Sequence, residues 1–145
     1  EMTSSLVGSE MCIRDSAKGT VNLNYHFCEG TVNIDVKENA ITTAYEGPSN
    51  VKLQCFPETE ASLKEEEGWR STAYRQRVPR TSLSFNVNKN NAEAVRYITI
   101  IYPVKDITKY PTLTAKFQNK GFDEKGVKVE VSVNGTARQL MSQLK

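Results

Sequence analysis

Val127, Val129, Val131 and Val133 alternate with Lys128, Glu130 and Ser132, and Asn134-Gly135 follows at once. A β-strand sends successive side chains to opposite faces, so a period of two marks a strip that is apolar on one side and wet on the other. Asn-Gly is a preferred pair for a type I′ hairpin turn, because both positions need positive φ. The run predicts a strand, a tight turn and a return strand from Thr136 to Met141. The same three residues, Asn134-Gly135-Thr136, match a glycosylation sequon, but the turn accounts for them better.

The period of two holds almost throughout from residue 17. Val21, Leu23, Tyr25 and Phe27 alternate with Asn22, Asn24 and His26, and Val32, Ile34 and Val36 alternate with Asn33 and Asp35. Glu29-Gly30 is a plausible turn between them. Ile41, Thr43 and Tyr45 continue the pattern until Gly47-Pro48-Ser49-Asn50 punctuates it. Val51, Leu53 and Cys55 form a strand ending at Pro57, which cannot donate to a ladder. Leu83, Phe85 and Val87 form another. Val95 to Tyr102 is nearly all β-branched or aromatic and reads as a central strand stopped by Pro103. Leu113, Ala115 and Phe117 follow. About nine short strands and no long helix predict an all-β, antiparallel β-sandwich, either whole or incomplete and lacking N-terminal strands. Residues 58–67 and 90–95 could each hold a helical turn.

Length and composition narrow the function. The chain has 145 residues, enough for one domain with a real core. No stretch approaches the roughly 18 apolar residues of a membrane helix, and the net charge of +2 does not imply a nucleic-acid partner. Neither a membrane nor a nucleic acid is expected as a partner. Cys12, Cys28 and Cys55 do not make a disulfide framework. Cys28 and Cys55 both fall in apolar runs and read as buried free thiols, with a bridge between them as the alternative. One histidine and scattered cysteines give no zinc-type spacing, so neither metal nor cofactor is expected.

Residues 1–16, EMTSSLVGSEMCIRDS, show no periodicity and resemble a translated sequencing-adaptor tail. Set aside as non-native or disordered, they leave 18 basic against 14 acidic residues, a net charge of +4. Such a tail joined to a coding read implies that the gene continues upstream and that this chain is a fragment.

The most informative polar segment is Gly68 to Arg80. It holds Arg70, Arg75, Arg77 and Arg80, Tyr74, the single Trp69, and no acid. Arginine forks match carboxylate and sulfate oxygens in two-point contacts, and flat aromatic faces suit sugar rings. Trp69, Arg70, Tyr74, Arg75, Arg77 and Arg80 are therefore candidates for binding an acidic glycan. The plainer alternative packs Trp69 and Tyr74 into core or a domain interface and pairs the arginines with Glu58, Glu60, Glu65, Glu66 and Glu67. The run Glu65-Glu66-Glu67 reads as a solvated loop face. His26, on the polar parity of its strand, reads as structural or solvent-facing rather than as a base.

Three blocks then suggest a family: GTVNLNYHFCEG (19–30), GWRSTAYRQRVPRTSLSFNV (68–87) and AVRYITIIYPVK (94–105). In this order they resemble the C-terminal sheet domain of heparinase II/III-type polysaccharide lyases, most of all the heparitin-sulfate (heparan-sulfate) lyases of Bacteroidetes. The resemblance covers everything after residue 17. It implies a C-terminal β-sandwich domain over residues 17–145. That domain would support a missing N-terminal helical toroid and one wall of a cleft for heparan sulfate or heparin. It implies β-elimination at a uronic acid by the parent enzyme, in the periplasm or outside the cell, with no catalytic residue in this piece. His26 falls on a strand well after the family's catalytic histidine and does not take its role. The competing reading is a non-catalytic module that binds acidic glycan.

Overall fold

The computed structural model describes residues 18–90, 94–120 and 126–143. The segment 1–16, with Cys12, lies outside the described residues. The ten strands are β1 (Gly19–His26), β2 (Val32–Asp35), β3 (Ala40–Thr43), β4 (Asn50–Pro57), β5 (Ser62–Arg70), β6 (Val78–Lys89), β7 (Tyr97–Val104), β8 (Leu113–Phe117), β9 (Val127–Val133) and β10 (Thr136–Ser142). Among the described residues there is no helix. The strands form three antiparallel sheets, ordered β1-β6-β5, β2-β3-β4-β7 and β10-β9-β8.

The sheets stack in three layers, with β2-β3-β4-β7 in the middle. Alternation along β4 and β7 sends Leu53, Cys55 and Tyr97 to one face, where they meet Leu23, Leu63, Leu83 and Phe85 of the first sheet. The opposite parity sends Phe56, Ile100 and Tyr102 against Leu113, Val129 and Val131 of the third sheet. Leu83 and Phe85 are fully buried, and each such side chain stabilises the fold by roughly 1.5–3 kcal/mol. Hydroxyls tie the layers: Tyr97 donates to the Val21 carbonyl at 3.2 Å, and Tyr25 donates to Thr99 Oγ1 at 2.9 Å. On the other side Lys52 Nζ donates to the Pro111 carbonyl at 2.8 Å.

The predicted antiparallel sandwich is therefore the fold, with differences in particular elements. The β9–β10 hairpin forms as expected, with Asn134 at φ 49° and Gly135 at φ 81°. The strand expected to be central, β7, lies at the edge of its sheet and pairs with β4 alone. It looks central because both its faces are covered by neighbouring layers. For the same reason Pro103 does not stop it: at an edge, proline's missing N–H faces away from the ladder.

The segment 58–67 is not a helical turn. Residues from Ser62 onward are strand β5, and Glu65-Glu66-Glu67 lie along it rather than on a loop. Backbone pairing to β6 holds this strand, since Leu63 is its one buried side chain. A charged, exposed edge strand is also the usual guard against unwanted sheet extension. Residues 90, 94 and 95 are not helical, and 91–93 lie outside the described residues. Both Cys28 and Cys55 are free thiols, but only Cys55 is buried. Cys28 follows the end of β1 and is exposed, contrary to the expectation from its apolar neighbours.

Candidate functional site

Strands β5 and β6 run on past the sheet core and are joined by residues 71–77 in an exposed arm. Its root is the pairing of Gly68 with Arg80, Trp69 with Pro79 and Arg70 with Val78. Its tip is a turn closed by the Gln76 N–H to the Ala73 carbonyl at 3.0 Å, and the Ser71 hydroxyl donates to that same carbonyl at 3.0 Å. Arg75 sits in the turn at φ 63°, a conformation uncommon for a residue with a β-carbon.

The structure brings the predicted residues together in this arm. The Arg77 guanidinium lies 4.2 Å from the centre of the Trp69 ring, and that of Arg75 lies 5.2 Å from the centre of the Tyr74 ring. Such stacks are electrostatically attractive. Trp69 Nε1 donates to Glu67 Oε1 at 2.6 Å, which fixes the indole. Arg70 pairs with Glu29 at 3.6 Å. Arg80 stands apart at the arm's root on β6, with Nε buried and without an acceptor.

These positions correct the plainer sequence alternative where it packs Trp69 and Tyr74 into the core, and do not test its domain-interface form. Trp69 is 40% exposed and Tyr74 is 87% exposed, so neither is a core residue. Three of the acids just upstream of the arm are occupied by groups other than these arginines. Glu58 pairs with Arg96, Glu66 accepts from Ser84 Oγ at 2.6 Å, and Glu67 holds Trp69. Among the described residues, no carboxylate pairs with Arg75, Arg77 or Arg80.

Two polar features escaped sequence reading. The first is the outward face of the β1-β6-β5 sheet, where Ser82 and Ser84 are buried despite facing away from the core. His26 Nδ1 lies 2.8 Å from Ser82 Oγ, and Asn86 Nδ2 donates to Ser84 Oγ at 2.9 Å. Among the described residues no carboxylate orients His26, and Ser82 is 1% exposed. The pair therefore lacks both the orienting group and the access that a nucleophile needs. The second is Arg96, buried and held by Glu58 through two guanidinium nitrogens, with its guanidinium 4.1 Å from the centre of the Phe117 ring. Arginine at the start of a β-branched run carries no pattern that announces burial.

Among the described residues no group of three or more His, Cys, Asp or Glu side chains could hold a metal ion. A surface hollow of about 540 Å³ lies beside Ser62, Val87 and Lys89, away from the arm. The arm can therefore bind from its surface but does not enclose a reacting group.

These features define a layered antiparallel β-sandwich that carries an arginine-aromatic arm and no complete catalytic constellation among the described residues. No family model matches the chain. The heparin-sulfate lyase of Bacteroides stercoris is 46% identical over 125 residues, which are 86% of this chain and 19% of that protein. The heparin-sulfate lyase of Pedobacter heparinus is 30% identical over 122 residues, 82% of this chain and 18% of that protein. A solved heparinase III structure superposes with a TM-score of 0.89 at 47% identity, covering 96% of this chain and 22% of that one. Another heparinase III gives a TM-score of 0.83 at 33% identity, covering 89% and 20% respectively. The chain is a homologue of one segment of the heparin-sulfate lyases, with the heparinase III fold in that segment, and it spans about a fifth of the length of the relatives it matches.

Proposed function

We propose that residues 17–145 are the C-terminal β-sandwich domain of a polysaccharide lyase that cleaves heparan sulfate or heparin by β-elimination at a uronic acid. The single observation that supports this most is that three relatives, each a heparin-sulfate lyase, match over 18–19% of their length and over 82–86% of this chain. The C5 proton of a uronic acid is weakly acidic. Elimination therefore requires neutralising the adjacent carboxylate and stabilising the charge that develops on it. A base removes the proton, and an acid protonates the leaving oxygen. In this reading those groups lie on an N-terminal helical toroid outside the chain. The sandwich supports the toroid and forms one wall of the substrate cleft, and the enzyme works in the periplasm or outside the cell. Trp69, Arg70, Tyr74, Arg75, Arg77 and Arg80 face either the glycan or the partner domain.

The test is to express the chain joined to the upstream region of its own gene and incubate it with heparan sulfate. The joined protein is expected to release unsaturated uronate products, and the 145-residue chain alone is expected to release none. A joined protein that leaves heparan sulfate and heparin intact defeats the proposal. A second reading, a non-catalytic module for acidic glycan, is favoured by the exposed arginines of the arm. It predicts binding with no unsaturated product from either protein.

A further inference from the structure

We propose that the β5–β6 arm is an anchoring site for sulfated glycan that works apart from bond cleavage, with the stacked guanidiniums of Arg75 and Arg77 as its anion receptors. The inference rests on the lyase reading for its ligand class, but its geometry is the arm's own. A guanidinium lying over a ring presents its N–H groups outward in its own plane, so the stack holds the fork in place without consuming its donors. Arg77 over Trp69 and Arg75 over Tyr74 are two such forks on one arm. No carboxylate among the described residues neutralises either of them.

Exposure points the same way. Tyr74 is 87% exposed at the outermost turn, where docking onto a protein domain would call for an apolar surround that this arm lacks. A ring beside a fork suits a sugar beside its sulfate: the ring packs on the pyranose, and the fork takes two sulfate oxygens. Arg75 takes a positive φ within the turn that carries Tyr74 beside it. Residues 68–80 contain no acid, and Glu67, at the arm's root, is bound to Trp69 Nε1.

The test uses the 145-residue chain on immobilised heparin, on chemically desulfated heparin and on neutral dextran. The wild-type chain is expected to be retained on heparin at low salt, to elute earlier from desulfated heparin, and to pass through dextran. The Arg75→Ala/Arg77→Ala pair is expected to weaken heparin affinity by roughly tenfold or more, with the loss shrinking as salt screens the contact. Tyr74→Ala, which leaves every charge in place, is expected to weaken it several-fold. All three residues are exposed, so an unchanged thermal midpoint separates lost binding from lost folding. A wild-type chain no better retained on heparin than on dextran overturns the inference. So does an Arg75→Ala/Arg77→Ala variant that elutes at the wild-type salt concentration. Either result leaves the lyase reading intact, because that is measured by elimination products from the joined protein.

Discussion

A β-carbon placed on Gly68 would stand 1.9 Å from Oγ of Ser82 on the facing strand. The Arg80 carbonyl and the Ser82 β-carbon would lie at 2.7 and 2.8 Å. The glycine is therefore what lets β5 run flat against β6 at the root of the arm. Gly68→Ala is expected to destabilise the fold by about 1–3 kcal/mol, the usual cost of overpacking. A lowered thermal midpoint checks it. Adding Ser82→Ala should recover only part of the loss, because the carbonyl and the β-carbon remain in the way.

Asn50 closes the loop between β3 and β4 from the inside. Its Oδ1 accepts from the Tyr45 N–H at 2.7 Å and the Thr43 hydroxyl at 3.0 Å, while its Nδ2 donates to the carbonyls of Tyr45 and Gly47. The residue is 2% exposed. Asn50→Ala strands several of these groups, and each buried unsatisfied group costs about 1–3 kcal/mol. The variant is expected to lose about 2 kcal/mol or more in chemical denaturation.

The two ion pairs Arg96–Glu58 and Lys116–Glu130 should behave differently. Arg96 is 1% exposed, whereas the Lys116 side chain is 66% exposed in its 2.8 Å contact. Removing the partner of a buried charge is far costlier than breaking a solvated pair. Glu58→Ala is expected to cost roughly 2–4 kcal/mol, moderated by the remaining contacts of Arg96. Glu130→Ala is expected to cost at most about 1 kcal/mol. Equal losses in denaturant melts would contradict the placement of Arg96.

Burial pushes the Cys55 thiol up from 9.0 to about 12, and the Tyr97 phenol up from 10.0 to about 12. Both groups are neutral when protonated, so the folded state keeps protons that the unfolded state gives up. Stability is then full below pH 9.0 and falls as pH rises from 9.0 toward about 12. Cys55→Ala removes the thiol's share, so its stability relative to wild type should improve with pH above 9.0. A thiol reagent applied to the folded protein at neutral pH should label Cys28 and spare Cys55, as peptide mapping would show.

The sheets were legible where one face is buried and the other wet. Val127 to Val133, Leu113 to Phe117 and Val21 to Phe27 announce their strands because alternation is the burial pattern itself. β5 was not legible, because Lys64 to Glu67 on an edge have no core face to reveal. The length and composition of Tyr97 to Val104 were legible, but its edge position was not. Covering layers make an edge strand as apolar as a central one. The arm was legible as a set of residue types, Trp69 through Arg80. Its stacking partners were not, since nothing in the spacing says that Arg77 rather than Arg75 lies over Trp69. The buried Arg96 depends on Glu58, 38 residues away, a distance that no local pattern spans.

The middle sheet has no spare side. Along β4 and β7 the apolar side chains of the two clusters divide between opposed cores, so peeling either outer sheet away would leave a strip of oil facing water. Loosening at Ile100 is therefore felt at Tyr97 through three peptide units of shared backbone, and the domain should melt as a single unit rather than layer by layer.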